Sequence, residues 1–204
     1  MTSLNETTLL EAVKILCDQD AHLAGVVNQY GPPPLWSRDP SFPTLVHIIL
    51  EQQVSLASAK ACFDKLRLRL PVLTPTNYLT LSDVELLQIG FSRQKTRYTR
   101  ILASAITNGS LDLESLNHLP DAEVFSRLTA LTGIGPWTAN IYLLMALGRP
   151  NIWPGGDLAL IVALKNLTGL EHRPDRETFV RLGEKWQPYR AVAARILWHY
   201  YLSS

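Results

Sequence analysis

Three observations predict an all-α fold. Apolar residues recur three and four positions apart over nearly the whole chain, and no stretch alternates apolar with polar long enough to make a strand. Helix-starting Ser and Asn and helix-ending Gly and Pro fall between the periodic stretches rather than inside them. The 204 residues suffice to bury a good core, as one domain or two small lobes.

Taken in order, Leu9, Leu10, Val13, Leu16 and Cys17 form one helical stripe, with Asn5 as its cap. A second helix over 21–29 stops at Gly31. The stretch GPPPLWSRDP at 31–40 is the richest in proline and is the expected crossing between lobes. The expected division is 38–130 for one lobe and 1–37 plus 131–204 for the other. Ser41 caps a helix over 42–53, and Ser55 begins another that Pro71 ends. Ser82 and Glu85 stand three apart as a capping box, and Gly90 sits where a C-terminal glycine belongs. A helix over 92–107 carries Arg93, Lys95, Arg97 and Arg100 near its start, a basic face that is either solvated or touches phosphates. Helices over 121–130, 136–147, 158–167, 176–186 and 188–201 complete the chain.

Composition limits the function classes. Hydrophobic residues are 47% and charged residues 18%, ordinary for a soluble globular protein. No apolar run is long enough to span a bilayer, and the acidic start lacks the basic region of a signal peptide. Cys17 and Cys62 lie in apolar helical patterns and read as reduced thiols, pointing to the cytosol. The net charge of +1 does not by itself announce a nucleic-acid binder. The five histidines, His22, His47, His118, His172 and His199, show no paired metal-ligand spacing. No dinucleotide or P-loop fingerprint and no nucleophilic serine elbow occur.

The informative stretch is LTGIGPWTANIYLLMALGRPNIWPGGD at 131–157. In LTGIGP two glycines flank Ile134 between helices, so Ile134 plugs the space and fixes their angle. The amides of Gly135 and the following turn have no intrahelical partner and meet the positive end of the helix dipole, which suits a phosphate oxygen. Pro136 sits at the first helical position, where a missing N–H is harmless. Such a hairpin grips a strand without reading its sequence. The bland reading is a tight helix–helix turn, which is common. Asp157 follows WPGG and precedes an apolar run. It caps that helix, and it also presents a directed carboxylate close in sequence to the hairpin.

LTGIGPWTAN followed by WPGGD resembles the helix-hairpin-helix, Gly/Pro-rich loop, Asp superfamily of DNA glycosylases, in the branch of 3-methyladenine DNA glycosylase II. The segments IILEQQVSLASAKA (48–61), GFSRQKTRYTRILA (90–103) and EKWQPYRAVAARILWHYY (184–201) share the resemblance. It implies two helical lobes with an active-site cleft between them. It makes Asp157 the catalytic residue and Gly133, Ile134, Gly135 and Thr138 the DNA-binding ones. Trp137, Trp198 and Tyr142 fall at or beside aromatic pocket positions, where π-faces favour cationic bases. For these aromatics core packing is the alternative. Where the branch often has a tyrosine this chain has Ile141.

Of the neighbouring Gln52 and Gln53, Gln53 is taken as the wedge that fills the gap left by a flipped base. An amide that merely satisfies the helix break is the alternative. Lyase members carry a lysine where Trp137 stands, which implies a monofunctional enzyme. The absence of cysteine after Cys62 implies no iron–sulfur cluster. The resemblance implies no cofactor; it allows a monovalent cation on hairpin carbonyls near Leu131 and Gly133.

The expected activity is hydrolysis of the N-glycosidic bond of alkylated purines, of the 3-methyladenine and 7-methylguanine type, in duplex DNA. The expected partner is double-stranded DNA containing damaged bases, with no membrane, the protein acting as a monomer in the cytoplasm at the nucleoid or in the nucleus. The alternatives are a glycosylase for deaminated or oxidised bases and a non-catalytic hairpin module.

Overall fold

A computed structural model describes residues 3–204, and no strand occurs among them. Twelve α-helices follow one another: α1 (Glu6–Gln19), α2 (Ala21–Tyr30), α3 (Phe42–Glu51), α4 (Leu56–Arg69), α5 (Pro75–Leu79), α6 (Asp83–Ile89), α7 (Arg93–Thr107), α8 (Asp121–Thr129), α9 (Pro136–Ile141), α10 (Leu158–Thr168), α11 (Arg176–Leu182) and α12 (Arg190–Ser203). The chain divides into two compact units. One is Arg38–Tyr142; the other joins the chain up to Ser37 with Leu143–Ser204. The first break falls at 37/38, within the proline-rich loop. The second falls at 142/143 rather than 130/131, so the hairpin belongs with residues 38–142.

In the 38–142 unit α3 is the central helix. Leu45, Val46, Ile48 and Ile49 are fully buried, and α3 packs on α4, α7 and α9. Its sequence, FPTLVHIILE, keeps its polar residues Thr44, His47 and Glu51 on one side and is apolar over the rest, the pattern of a helix largely enclosed by others. The capping signals are realised locally. Ser55 accepts the Ser58 amide, Ser82 and Glu85 form the reciprocal box, and Ser92 accepts the Lys95 amide. Helix α5 was not expected from the sequence: Thr74 caps it and Pro75 opens it, but five residues are too few to show a period.

In the other unit α12 plays the same part. Residues Ala191–Leu197 of α12 are buried, and the helix packs on α10, α2 and α1. Arg195 is wholly buried in this row. Its guanidinium donates to the carbonyls of Leu35 (2.8 Å), Ala191 (3.0 Å) and Leu144 (2.8 Å). The fork of donors thus meets backbone oxygens in place of water. Asp20 caps α2 through the amides of His22 and Leu23 and also accepts Trp186 Nε1 at 2.9 Å and Lys185 Nζ at 2.7 Å.

Helix α9 does not run on as a regular α-helix to 147. After Ile141 the chain widens into π-type turns over Tyr142–Ala146. Leu144 O, on those turns, accepts from Arg195. Neither Cys17 nor Cys62 is in a disulfide. No helix of the described residues is long and apolar enough to cross a membrane.

Candidate active site

In the unit that contains α12, the loop before α10 presents Asp157. Trp153 anchors that loop. Its ring stacks on Phe179 (centroids 4.8 Å apart, 27°), lies 5.3 Å from the Trp186 ring, and donates Nε1–H to Phe179 O at 3.3 Å. A Cβ added at Gly183 would lie 2.7 Å from the Trp153 ring, so the indole sits directly on that backbone. Two tight turns follow, with Gly155 N–H on Trp153 O and Asp157 N–H on Pro154 O, each at 2.9 Å. The loop therefore leaves Asp157 with little freedom.

Asp157 is 8% exposed. Its Oδ1 accepts the Leu160 amide of α10 at 3.0 Å and Trp198 Nε1–H at 3.2 Å. The first bond is the helix cap expected from the sequence. The second gives Trp198 a task the sequence did not suggest. Trp198 is 8% exposed, on α12, and its polar edge fixes the direction of the carboxylate. The negative charge also meets the N-terminal dipole of α10.

In the 38–142 unit the hairpin links α8 to α9. Gly133 has φ +101°, a conformation L-residues with side chains rarely adopt, and a Cβ there would fall 2.2 Å from Tyr98 Cγ. The side chain of Tyr98, whose hydroxyl accepts Gln94 Nε2–H at 2.6 Å, thus lies directly against the turn. Ile134 N–H closes the turn onto Leu131 O at 3.0 Å. Ile134 is 3% exposed, as a plug between the two helices requires. Gly135 is exposed, in extended conformation, and caps α9. Thr138, expected to touch DNA, is 1% exposed, and its hydroxyl accepts Gln52 Nε2–H at 2.9 Å. Its side chain belongs to the interior of the hairpin because the first turn of α9 faces α3. Trp137, one residue earlier, is half-buried.

Tyr142 is fully buried, and its hydroxyl makes no hydrogen bond among the described residues; burial pushes its ionisation well above the ordinary phenol range. It packs as a core residue rather than lining an open pocket. Helix α3 ends two residues before the expected position, and the corner carries Gln52 and Gln53. Gln53 is exposed with φ +57°. Gln52 turns the other way and donates Nε2–H to Gly133 O at 2.9 Å as well as to Thr138. Sequence reasoning chose between these adjacent glutamines and overlooked that their side chains diverge.

The carbonyls of Leu131 and Gly133 each already accept one N–H. A carbonyl has a second lone pair, so one N–H does not exhaust either as an acceptor. Of the basic residues on α7, Lys95 and Arg100 are committed to the fold. Lys95 Nζ caps Leu50 O at 2.6 Å, and Arg100 bonds Asp83 and Leu81 O.

Comparison with known proteins agrees with the all-α fold. The family model described as "HhH-GPD superfamily base excision DNA repair protein" matches residues 46–188. The alkylbase DNA glycosidase-like protein mag2 of Schizosaccharomyces pombe is 28% identical over 92% of this chain and 91% of its own length. The Bacillus subtilis protein YfjP is 33% identical over 61% of this chain, a match that spans only 43% of that relative. Among solved structures, the 3-methyladenine DNA glycosylase of S. pombe in complex with abasic DNA superposes with a TM-score of 0.82. It is 25% identical, with 92% of this chain and 95% of that one covered.

Proposed function

Because the chain belongs to the HhH-GPD superfamily of base excision DNA repair proteins, we propose that it is a monofunctional DNA glycosylase that removes alkylated purines from duplex DNA. The observation that carries this reading is Asp157, a nearly buried carboxylate held in one direction by a helix amide and an indole N–H.

The chemistry follows from the leaving group. A 3-alkylated adenine carries positive charge, so the C1′–N9 bond breaks with its electron pair going to the base, which departs neutral. The sugar is left as an oxocarbenium-like cation. Asp157 stabilises that charge and orients a water, whose oxygen bonds to C1′ while its proton passes to the carboxylate or solvent. No second carboxyl is needed to protonate the leaving group, unlike ordinary glycoside hydrolysis. No lysine stands at the Trp137 position to form a Schiff base.

The hairpin at Gly133–Gly135 holds the backbone through its amides, and a cation shared by Leu131 and Gly133 carbonyls would add positive charge beside the phosphate. Gln53 enters the space vacated by the flipped nucleotide, and Trp137 offers a π-face to the extruded base. The protein acts as a monomer on damaged duplex DNA, at the nucleoid or in the nucleus.

The test is direct. Methylated duplex DNA is incubated with the protein, and released bases are identified by chromatography and mass spectrometry. Free 3-methyladenine is expected. Binding without any released base would leave a hairpin module, and release of neutral lesions alone would move the protein to a different substrate class.

A further inference from the structure

The end of α3 is tied down at three consecutive residues. Lys95 Nζ caps Leu50 O, Arg38 grips Glu51 through both carboxylate oxygens (3.0 and 2.8 Å), and Gln52 reaches the hairpin. The next residue, Gln53, with φ +57°, opens an exposed run that continues through Ser58. The Gln52 contact is the one that joins two pieces of DNA-facing machinery. Its partner Gly133 O can only accept, which fixes the amide with its NH2 toward the turn, and the same NH2 reaches Thr138 Oγ1.

We propose that Gln52 is a positioning residue that locks the Gln53 corner to the Gly133 turn, so that backbone grip and insertion into the duplex occur in one fixed register. This rests on the glycosylase reading above. Gln52 touches neither base nor sugar in this role. It acts by holding the distance between the residue that enters the helix stack and the amides that hold the strand. Two donor bonds at 2.9 Å from one side chain define that distance more narrowly than packing alone. Loss of the amide leaves each part folded, since Lys95 and Arg38 still hold the end of α3 and Tyr98 still covers Gly133.

The experiment uses the full chain with Gln52→Met, close in shape but without donors, and Thr138→Val. Three quantities are measured: affinity for undamaged duplex, single-turnover excision at saturating protein, and the fluorescence of a 2-aminopurine placed beside the lesion as a reporter of unstacking. Gln52→Met is expected to slow excision about tenfold and to lower the reporter signal, the scale of a lost hydrogen bond, with duplex affinity changed by less than about threefold. Thr138→Val is expected to show a smaller loss of the same kind, and the double variant to be no worse than Gln52→Met alone.

Wild-type excision by Gln52→Met overturns the proposal. So does a loss confined to duplex affinity, or additive losses in the double variant. Should Gln52→Met fail to melt cooperatively, Thr138→Val decides, and unchanged excision and reporter signals in it overturn the proposal. If the wild-type protein releases no base, the glycosylase reading falls, and the 2-aminopurine signals of the same variants still decide the role of Gln52.

Discussion

Replacing Asp157 by asparagine separates charge from geometry at the proposed reaction centre. Two bonds to Asp157 land on Oδ1, from the Leu160 amide and Trp198 Nε1. An asparagine oxygen accepts both. Asparagine is also as good a helix cap as aspartate, so at these two bonds the structural loss is that of charge against the α10 dipole, about 0.3–1 kcal/mol. For a chain of this size that is roughly 1–4 °C in Tm. The catalytic loss is larger, because a preorganised charge in a nearly buried site is worth about 2.7 kcal/mol or more, at least a hundredfold in rate. The assay is single-turnover release of 3-methyladenine from methylated duplex, with DNA affinity and Tm measured in parallel. Excision should fall at least about a hundredfold while affinity is retained. A rate within a few-fold of wild type would remove Asp157 from the chemistry.

Trp198→Phe keeps most of the ring but removes the indole donor from Asp157, and excision should slow about tenfold at nearly unchanged affinity; single-turnover rates check this. Gly133→Ala forces a positive φ on alanine and drives its methyl into the Tyr98 ring, together about 2–4 kcal/mol. A Tm lowered by several degrees and weakened duplex binding are expected by thermal melting and fluorescence anisotropy.

Asp20 gives a pH dependence. Burial alone would raise its pKa, but the bonds from Lys185 and Trp186 and the lysine charge hold it below the ordinary carboxylate value. A depressed folded value contributes stability above the unfolded pKa, which is lost as pH falls through the folded one. Asp20→Asn should therefore lower Tm at neutral pH, and the gap to wild type should close below about pH 4, read from melting curves across pH.

The fold was legible where one signal sufficed. Ser55, Ser82 and Ser92 start helices and Gly31 and Gly90 end them as their residue types require. Legibility failed where local and tertiary preferences diverge. The apolar run after Ile141 reads as continuous helix, and nothing in it announces the π turns. The lobe division missed by twelve residues because the hairpin turn looks like a boundary, whereas its glycine is covered by Tyr98 and its carbonyl held by Gln52, both from earlier in the same unit. Asp157 stood out at the end of a Pro/Gly loop. The contacts of Trp198 and Gln52 were invisible, because each joins residues more than forty or eighty positions apart.

The corner at Gln53 sets an exchange between sturdiness and work. A left-handed backbone at a residue with a long side chain stores about 1–3 kcal/mol that glycine would release. A chain optimised only to stay folded would drop the glutamine there. The strain is thus lodged in the backbone of Gln53, and hardening this protein by the usual swap to glycine would remove the side chain proposed to enter the duplex.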